Sequence, residues 1–208
     1  MSLRLQQHKQ AGAVYVEAAI ILPVLLLVTF TCLFFFLLAA RQFSVQMLAN
    51  EIAKDISLSL QTNDDNFNAS HGVVNSCIKN CRTNCRGGEN ALRHTRNLTA
   101  YVACNSTYPE ACWNTCARDQ FLLNTEGDYP MSVTATAYPA RQWFDSGSTP
   151  TVHTTISAGD LFDVTVSYPF RAVWGGGIAF FGLVPDKNLT GVAVGIVEKR
   201  ENSNQEVP

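Results

Sequence analysis

Two sets of residues in this chain have the type and spacing to do chemistry. One is an acid, Glu17, in the stretch AGAVYVEAAIILPV, at the mouth of an apolar run that ends only at Arg41. A carboxylate at the centre of a spanning helix costs about 2.5–3.5 kcal/mol on insertion scales and less near an interface, so an acid at this depth implies a partner or a purpose. The other set is six thiols, Cys77, Cys81, Cys85, Cys104, Cys112 and Cys116. An even set confined to a translocated region reads as disulfides. Zinc is the competing use, because His71 and His94 flank the cluster. It is disfavoured because no C-x2-C knuckle is present and an oxidising compartment oxidises thiolates. No metal site and no cofactor are therefore expected. Cys32, inside the apolar run, reads as a small apolar packing residue.

The remaining candidates read as structural. No GxSxG elbow, P-loop, HExxH or dinucleotide fingerprint occurs, and the glycines of VWGGGIAFF are not followed by Lys and Ser or Thr. His153 lies in the strand-like TVHTTI, and Asp160 and Asp163 flank LF near a strand start, where turn capping suits them better than paired acid and base work. Four Asn-x-Ser/Thr matches, at Asn68, Asn97, Asn105 and Asn188, matter only in a host that glycosylates them. No catalytic residue is expected, so the chain reads as a non-enzyme. The net charge of -2, with scattered Lys and Arg, makes nucleic acid an unexpected partner.

The elements that must position these residues follow from hydrophobic pattern. Ala18 to Ala40 is roughly 23 residues without charge, more than the roughly 20 that span a bilayer as a helix. Arg4 and Lys9 precede it with no acid, so the positive-inside rule leaves the amino terminus in the cytoplasm and sends the rest across. The apolar region is too long for a conventional cleaved secretory signal, although LLAAR resembles such a site. Beyond Arg41, Val45, Leu48, Ile52 and Ile56 keep a helical period. One continuous helix over 13–60 is expected, roughly 70 Å long, with its second half amphipathic on a soluble domain and Pro23 bending its first turns. QTNDDNFNASHG reads as a polar linker.

Cys77, Cys81 and Cys85, and then Cys112 and Cys116, stand four apart, so each set lines one stripe of a helix. Two such helices laid antiparallel would join Cys81 to Cys112 and Cys77 to Cys116, leaving Cys85 with Cys104. That connectivity is one of the fifteen that six cysteines allow. From Met131 the period changes to two: MSVTATAY, TVHTTI, LFDVTVSYPF and LTGVAVGIVEKR read as strands of an antiparallel sheet. The Gly-rich apolar segment 172–185 reads as a loop packed on the long helix, with a contact surface as the alternative. The expected fold is α+β, with a long helix over 13–60, a disulfide-rich helical region over 61–128, a sheet region over 129–200 and a solvated tail over 201–208.

A short basic leader, Gly12, four residues, Glu17 and a long apolar helix together resemble the processing site of type IV prepilins. Within that superfamily GAVYVEAAIILPVLLL is most similar to the TadE/TadF-like minor pseudopilins of the tight-adherence (Tad) pilus, and VTVSYPF and LTGVAVGIVEKRE resemble that family's closing strands. Ala18 departs from the Phe or Tyr that many members carry, and the six-cysteine insert has no counterpart in the family. The resemblance implies a pilin-like fold, cleavage of leader 1–12 between Gly12 and Ala13 by a prepilin peptidase, and an assembly role for Glu17. Partners would be other pilin or pseudopilin subunits, the Tad assembly platform and the membrane. The location would be the inner membrane with a periplasmic carboxy-terminal domain, and then a surface fibre. The competing function is an uncleaved single-pass inner-membrane protein with a disulfide-rich periplasmic binding domain.

Overall fold

The computed structural model describes residues 3–61, 85, 92, 96–107, 112–123, 131–139, 153–169 and 188–197. Side chains before Tyr15, and those of Val16, Leu60, Gln61 and Thr107, are outside that description. The elements are helix α1 (Leu3–Gln61), helices α2 (Leu98–Thr107) and α3 (Cys112–Phe121), and strands β1 (Ser132–Tyr138), β2 (Leu161–Pro169) and β3 (Asn188–Ile196). The class is α+β. The chain divides into two compact units, Met1–Ala40 and Arg41–Pro208.

The first unit is the amino-terminal part of α1. The helix starts at Leu3, ten residues before the expected start at Ala13, and continues through Pro23. Successive apolar residues such as Ile20, Ile21, Leu22, Val24, Leu25 and Leu26 point all round the helix and are exposed. Its threonine hydroxyls are satisfied internally: Thr29 Oγ1 donates to Leu25 O at 2.9 Å, and Thr31 Oγ1 to Leu27 O at 2.7 Å. A helix that pairs its threonine hydroxyls and, apart from the carbonyl opposite Pro23, its backbone groups is suited to hydrocarbon. By length and composition the stretch Glu17–Ser59 includes enough apolar helix to cross a membrane.

In the second unit α1 becomes one-sided. Val45, Leu48, Ala49, Ile52, Ala53 and Ile56 are buried, at the steps of three and four that put residues on one stripe. They pack in a core with Leu98 and Tyr101 of α2, Trp113 and Phe121 of α3, and the inner face of the sheet. Asn97 starts α2 by accepting from Ala100 N–H at 3.0 Å. Helix α3 closes with Leu123 N–H donating to Ala117 O at 3.0 Å, across Leu122 in the left-handed region at φ 54°. The bond reaches one residue further back than a Schellman closure, and a leucine holds the left-handed position where glycine is usual.

The sheet is antiparallel in the order β1-β2-β3. Register places Val133, Val166 and Gly191 in one row of the inner face, then Ala135, Val164 and Ala193, then Ala137, Phe162 and Gly195. Two glycines set the thickness of this layer. A Cβ on Gly191 would lie 2.6 Å from the Val45 carbonyl oxygen, and one on Gly195 would lie 2.3 Å from the Phe162 ring. Helix backbone therefore lies directly on strand backbone at Gly191. The free edge of β3 is also covered. Gln46 Nε2 donates to Val192 O at 2.6 Å while its Oε1 accepts from Val192 N–H at 3.2 Å, so one side-chain amide substitutes for a neighbouring strand. Gln42 Nε2 donates to Thr190 O at 2.7 Å. Covering an edge in this way removes a template for pairing with another chain.

One expected strand is corrected. Of TVHTTI, residues 153–156 make only isolated bridges, Ala137 with His153 and Asn97 with Thr155. The reason is divided pairing. His153 N–H donates to Ala137 O beside β1, whereas Leu98 N–H donates to Thr154 O and Ile156 N–H to Arg96 O at the approach to α2. A segment shared between two partners builds no ladder. The linker after Gln61, segment 172–185 and the tail lie outside the described residues.

Candidate functional site

Gly12 and Ala13 lie in α1, and their peptide bond is part of its helical backbone. Glu17 is five residues on and exposed, as is Tyr15, at 76%. An exposed carboxylate at the start of an exposed apolar helix offers a negative charge to whatever packs against that helix. In a low dielectric a lone charge is costly and a paired one fixes relative position, so Glu17 can set register between helices.

Among the thiols, Cys85 and Cys104 form a disulfide with their Cα atoms 5.9 Å apart. This is the pair that the antiparallel arrangement leaves over. Cys85 is buried and Cys104 packs against the core from α2, so the bond ties α2 to the segment at residue 85. Cys112 and Cys116 are also disulfide-bonded. Cys77, Cys81, His71 and His94 lie outside the described residues. Oxidation of Cys85, Cys104, Cys112 and Cys116 removes these four thiols as zinc ligands. Cys32 is a free, exposed thiol.

The other polar candidates have structural settings. His153 is exposed at its bridge. Asp160 accepts from Ser157 N–H at 2.8 Å and so closes the turn that contains Gly159, whose φ is 93°. Asp163 is on the outer face of β2, level with Thr136 and Val194. Beside it the Tyr138 phenol is pushed above its usual range, first by burial and then by hydrogen bonding to and repulsion from the Asp163 carboxylate. Asn97 is occupied as a helix cap, and Asn105 is buried with Nδ2 donating to Tyr101 O at 3.0 Å, so Asn105 is closed to glycosylation. Asn188 is exposed, and Asn68 lies outside the described residues.

One acid escaped the sequence reading. Asp55 is fully buried, and its Oδ2 accepts from Tyr101 Oη at 3.0 Å and from Trp113 Nε1 at 3.1 Å. The two rings meet edge to face with centroids 5.8 Å apart, and Ser59 Oγ lies 2.7 Å from the Tyr101 hydroxyl. One carboxylate thus fastens α2 and α3 to α1. The available signal was spacing: Leu48, Ile52, Asp55 and Ser59 fall on one helical stripe.

No protein-family model, curated protein or solved structure matches the chain.

Proposed function

We propose that this protein is a pilin-like structural subunit of the TadE/TadF-like kind. It is held in the inner membrane by the apolar part of α1, cut between Gly12 and Ala13 by a prepilin peptidase on the cytoplasmic side, and incorporated into a Tad or type IV-like fibre that contributes to surface adhesion. The supporting observation is the division of labour along one unbroken helix. Its amino-terminal part presents apolar side chains in every direction, while its carboxy-terminal part is the spine of an α+β domain stapled by disulfide. Such a helix can first lie in lipid and then pack against copies of itself. Cleavage would expose the Ala13 α-amino group, positive near neutral pH with a reference pKa of about 7.7–8.0. Paired with Glu17 of a neighbouring subunit, that amine would set the helical register. The protein's role in this reading is structural, and its partners are the peptidase, other pilin or pseudopilin subunits and the assembly platform.

Amino-terminal sequencing of the membrane-extracted protein tests the reading. A mature chain beginning at Ala13 is expected. A chain still beginning at Met1 in cells with working processing machinery would sink it in favour of an uncleaved single-pass protein with a periplasmic binding domain.

A further inference from the structure

We infer that the rim of the domain around Leu122 and Phe43 rests on a phospholipid bilayer surface, as a shallow second membrane contact beside α1; the inference depends on reading α1 as a membrane helix. Leu122 is 71% exposed in the left-handed conformation at φ 54°. A side chain there crowds the following carbonyl oxygen, and glycine would close the same turn without that cost. Folding alone therefore gives no reason for a leucine. Position does, because the Leu122 carbonyl accepts a hydrogen bond from Arg41 Nη1, and Arg41 directly follows the uncharged run that ends at Ala40. The bond uses one of the guanidinium's five donors, and a guanidinium at the end of an apolar helix belongs at headgroup level. Phe43, about 3 Å further along the helix axis, is 64% exposed.

The sheet shows which end of the domain this rim is. Gln42 bonds Thr190, Gln46 bonds Val192 and Ser57 Oγ reaches Ile196 O at 3.5 Å, so β3 runs parallel to α1 with its start toward Arg41. Asn188 is paired with Pro169 at that same end. Apolar side chains flanked by an arginine sit about 5–10 Å into the headgroup and acyl boundary. The bilayer surface is the occupant that is continuous with the helix.

The test uses the full wild-type chain in vesicles of phosphatidylethanolamine and phosphatidylglycerol containing a phosphatidylglycerol with a diazirine near the acyl carbonyl. After illumination, adducts are mapped by mass spectrometry. Adducts are expected within α1 and on the peptide carrying Leu122, with several-fold fewer on the peptide carrying Gly159, which binds Val197 O at the far end of β3. Leu122→Gly, which suits the backbone, should fold normally and lose most adducts from the α3 end. Adducts confined to α1 would overturn the inference while leaving the membrane reading intact. An α1 without adducts would overturn the membrane reading itself, and this inference with it. A Leu122 peptide protected from hydrogen exchange but free of lipid adducts would assign the rim to a neighbouring subunit and so reject the lipid contact.

Discussion

The two parts of α1 are equally helical, yet one is bare and the other is covered. Ile21 is 61% exposed and Ile52 is fully buried. The difference lies in both the density and the arrangement of the apolar residues. Before Arg41 they are continuous, so no face is distinguished and only a uniform surrounding, such as lipid or a bundle of like helices, can satisfy them. After Arg41 they recur at three and four, and a single domain can cover one stripe. Each part also carries an acid, and burial separates the two. Glu17 is exposed and available to another molecule, whereas Asp55 is enclosed by Tyr101 and Trp113 of its own chain.

Truncating both isoleucines gives the largest contrast. Ile52→Ala should destabilise the domain by about 2–5 kcal/mol through lost burial and a residual cavity. Ile21→Ala should change it by less than about 0.5 kcal/mol. Thermal unfolding of the full chain in detergent, followed by tryptophan fluorescence, reads both. Equal losses would mean that the amino-terminal part also packs on the domain.

The acids give the next contrast. Asp55→Ala leaves a buried phenol and a buried indole N–H without this acceptor, at about 1–3 kcal/mol for an unsatisfied buried group. Asp55→Asn keeps an acceptor oxygen and should lose less. Glu17→Ala should leave unfolding unchanged and instead reduce incorporation into fibres after normal cleavage. A stability loss at position 17 would make Glu17 a folding residue and remove the register argument.

The edge of β3 gives a smaller pair of effects. Gly191→Ala forces a methyl group into helix backbone and should cost about 1–3 kcal/mol, as overpacking does. Gln46→Ala removes two hydrogen bonds at an edge that water can reach, so about 1 kcal/mol is expected, near the net worth of one typical bond. Denaturant unfolding of the two variants checks the order. A costlier Gln46→Ala would show that edge pairing outweighs close packing there.

Legibility in the sequence follows the same division. Periodicity exposed the buried stripe at Val45, Leu48, Ile52 and Ile56 and the alternation of three strands, because burial of one face imposes a period on residue type. It did not expose Asp55, Gln42 or Gln46, since a polar residue on a helix reads as solvated until its partner is known, and those partners are 46 to 148 residues away. TVHTTI has strand composition but divides its backbone bonds between two neighbours, a fact of topology alone. At Gly12, Ala13 and Glu17 the proposed role rests on the sequence alone, because the partner that the proposal gives them is another molecule.

The smallest effect belongs to the outer face of the sheet, where Asp163 stands level with Thr136 and Val194 and raises the Tyr138 phenol from its usual 10. A tyrosine whose folded pKa lies above its unfolded value favours the fold while it stays protonated. That contribution is complete below about pH 10 and is lost as pH rises through the folded value. Asp163→Asn removes the carboxylate's charge and its strong acceptor, so the Tyr138 titration should move down, leaving burial, which raises it, and the Thr136 hydrogen bond, which lowers it. Ultraviolet difference titration against Tyr138→Phe isolates this one phenol. An unchanged or higher titration in Asp163→Asn would mean that burial alone sets the value, and that the two side chains do not interact across the strands.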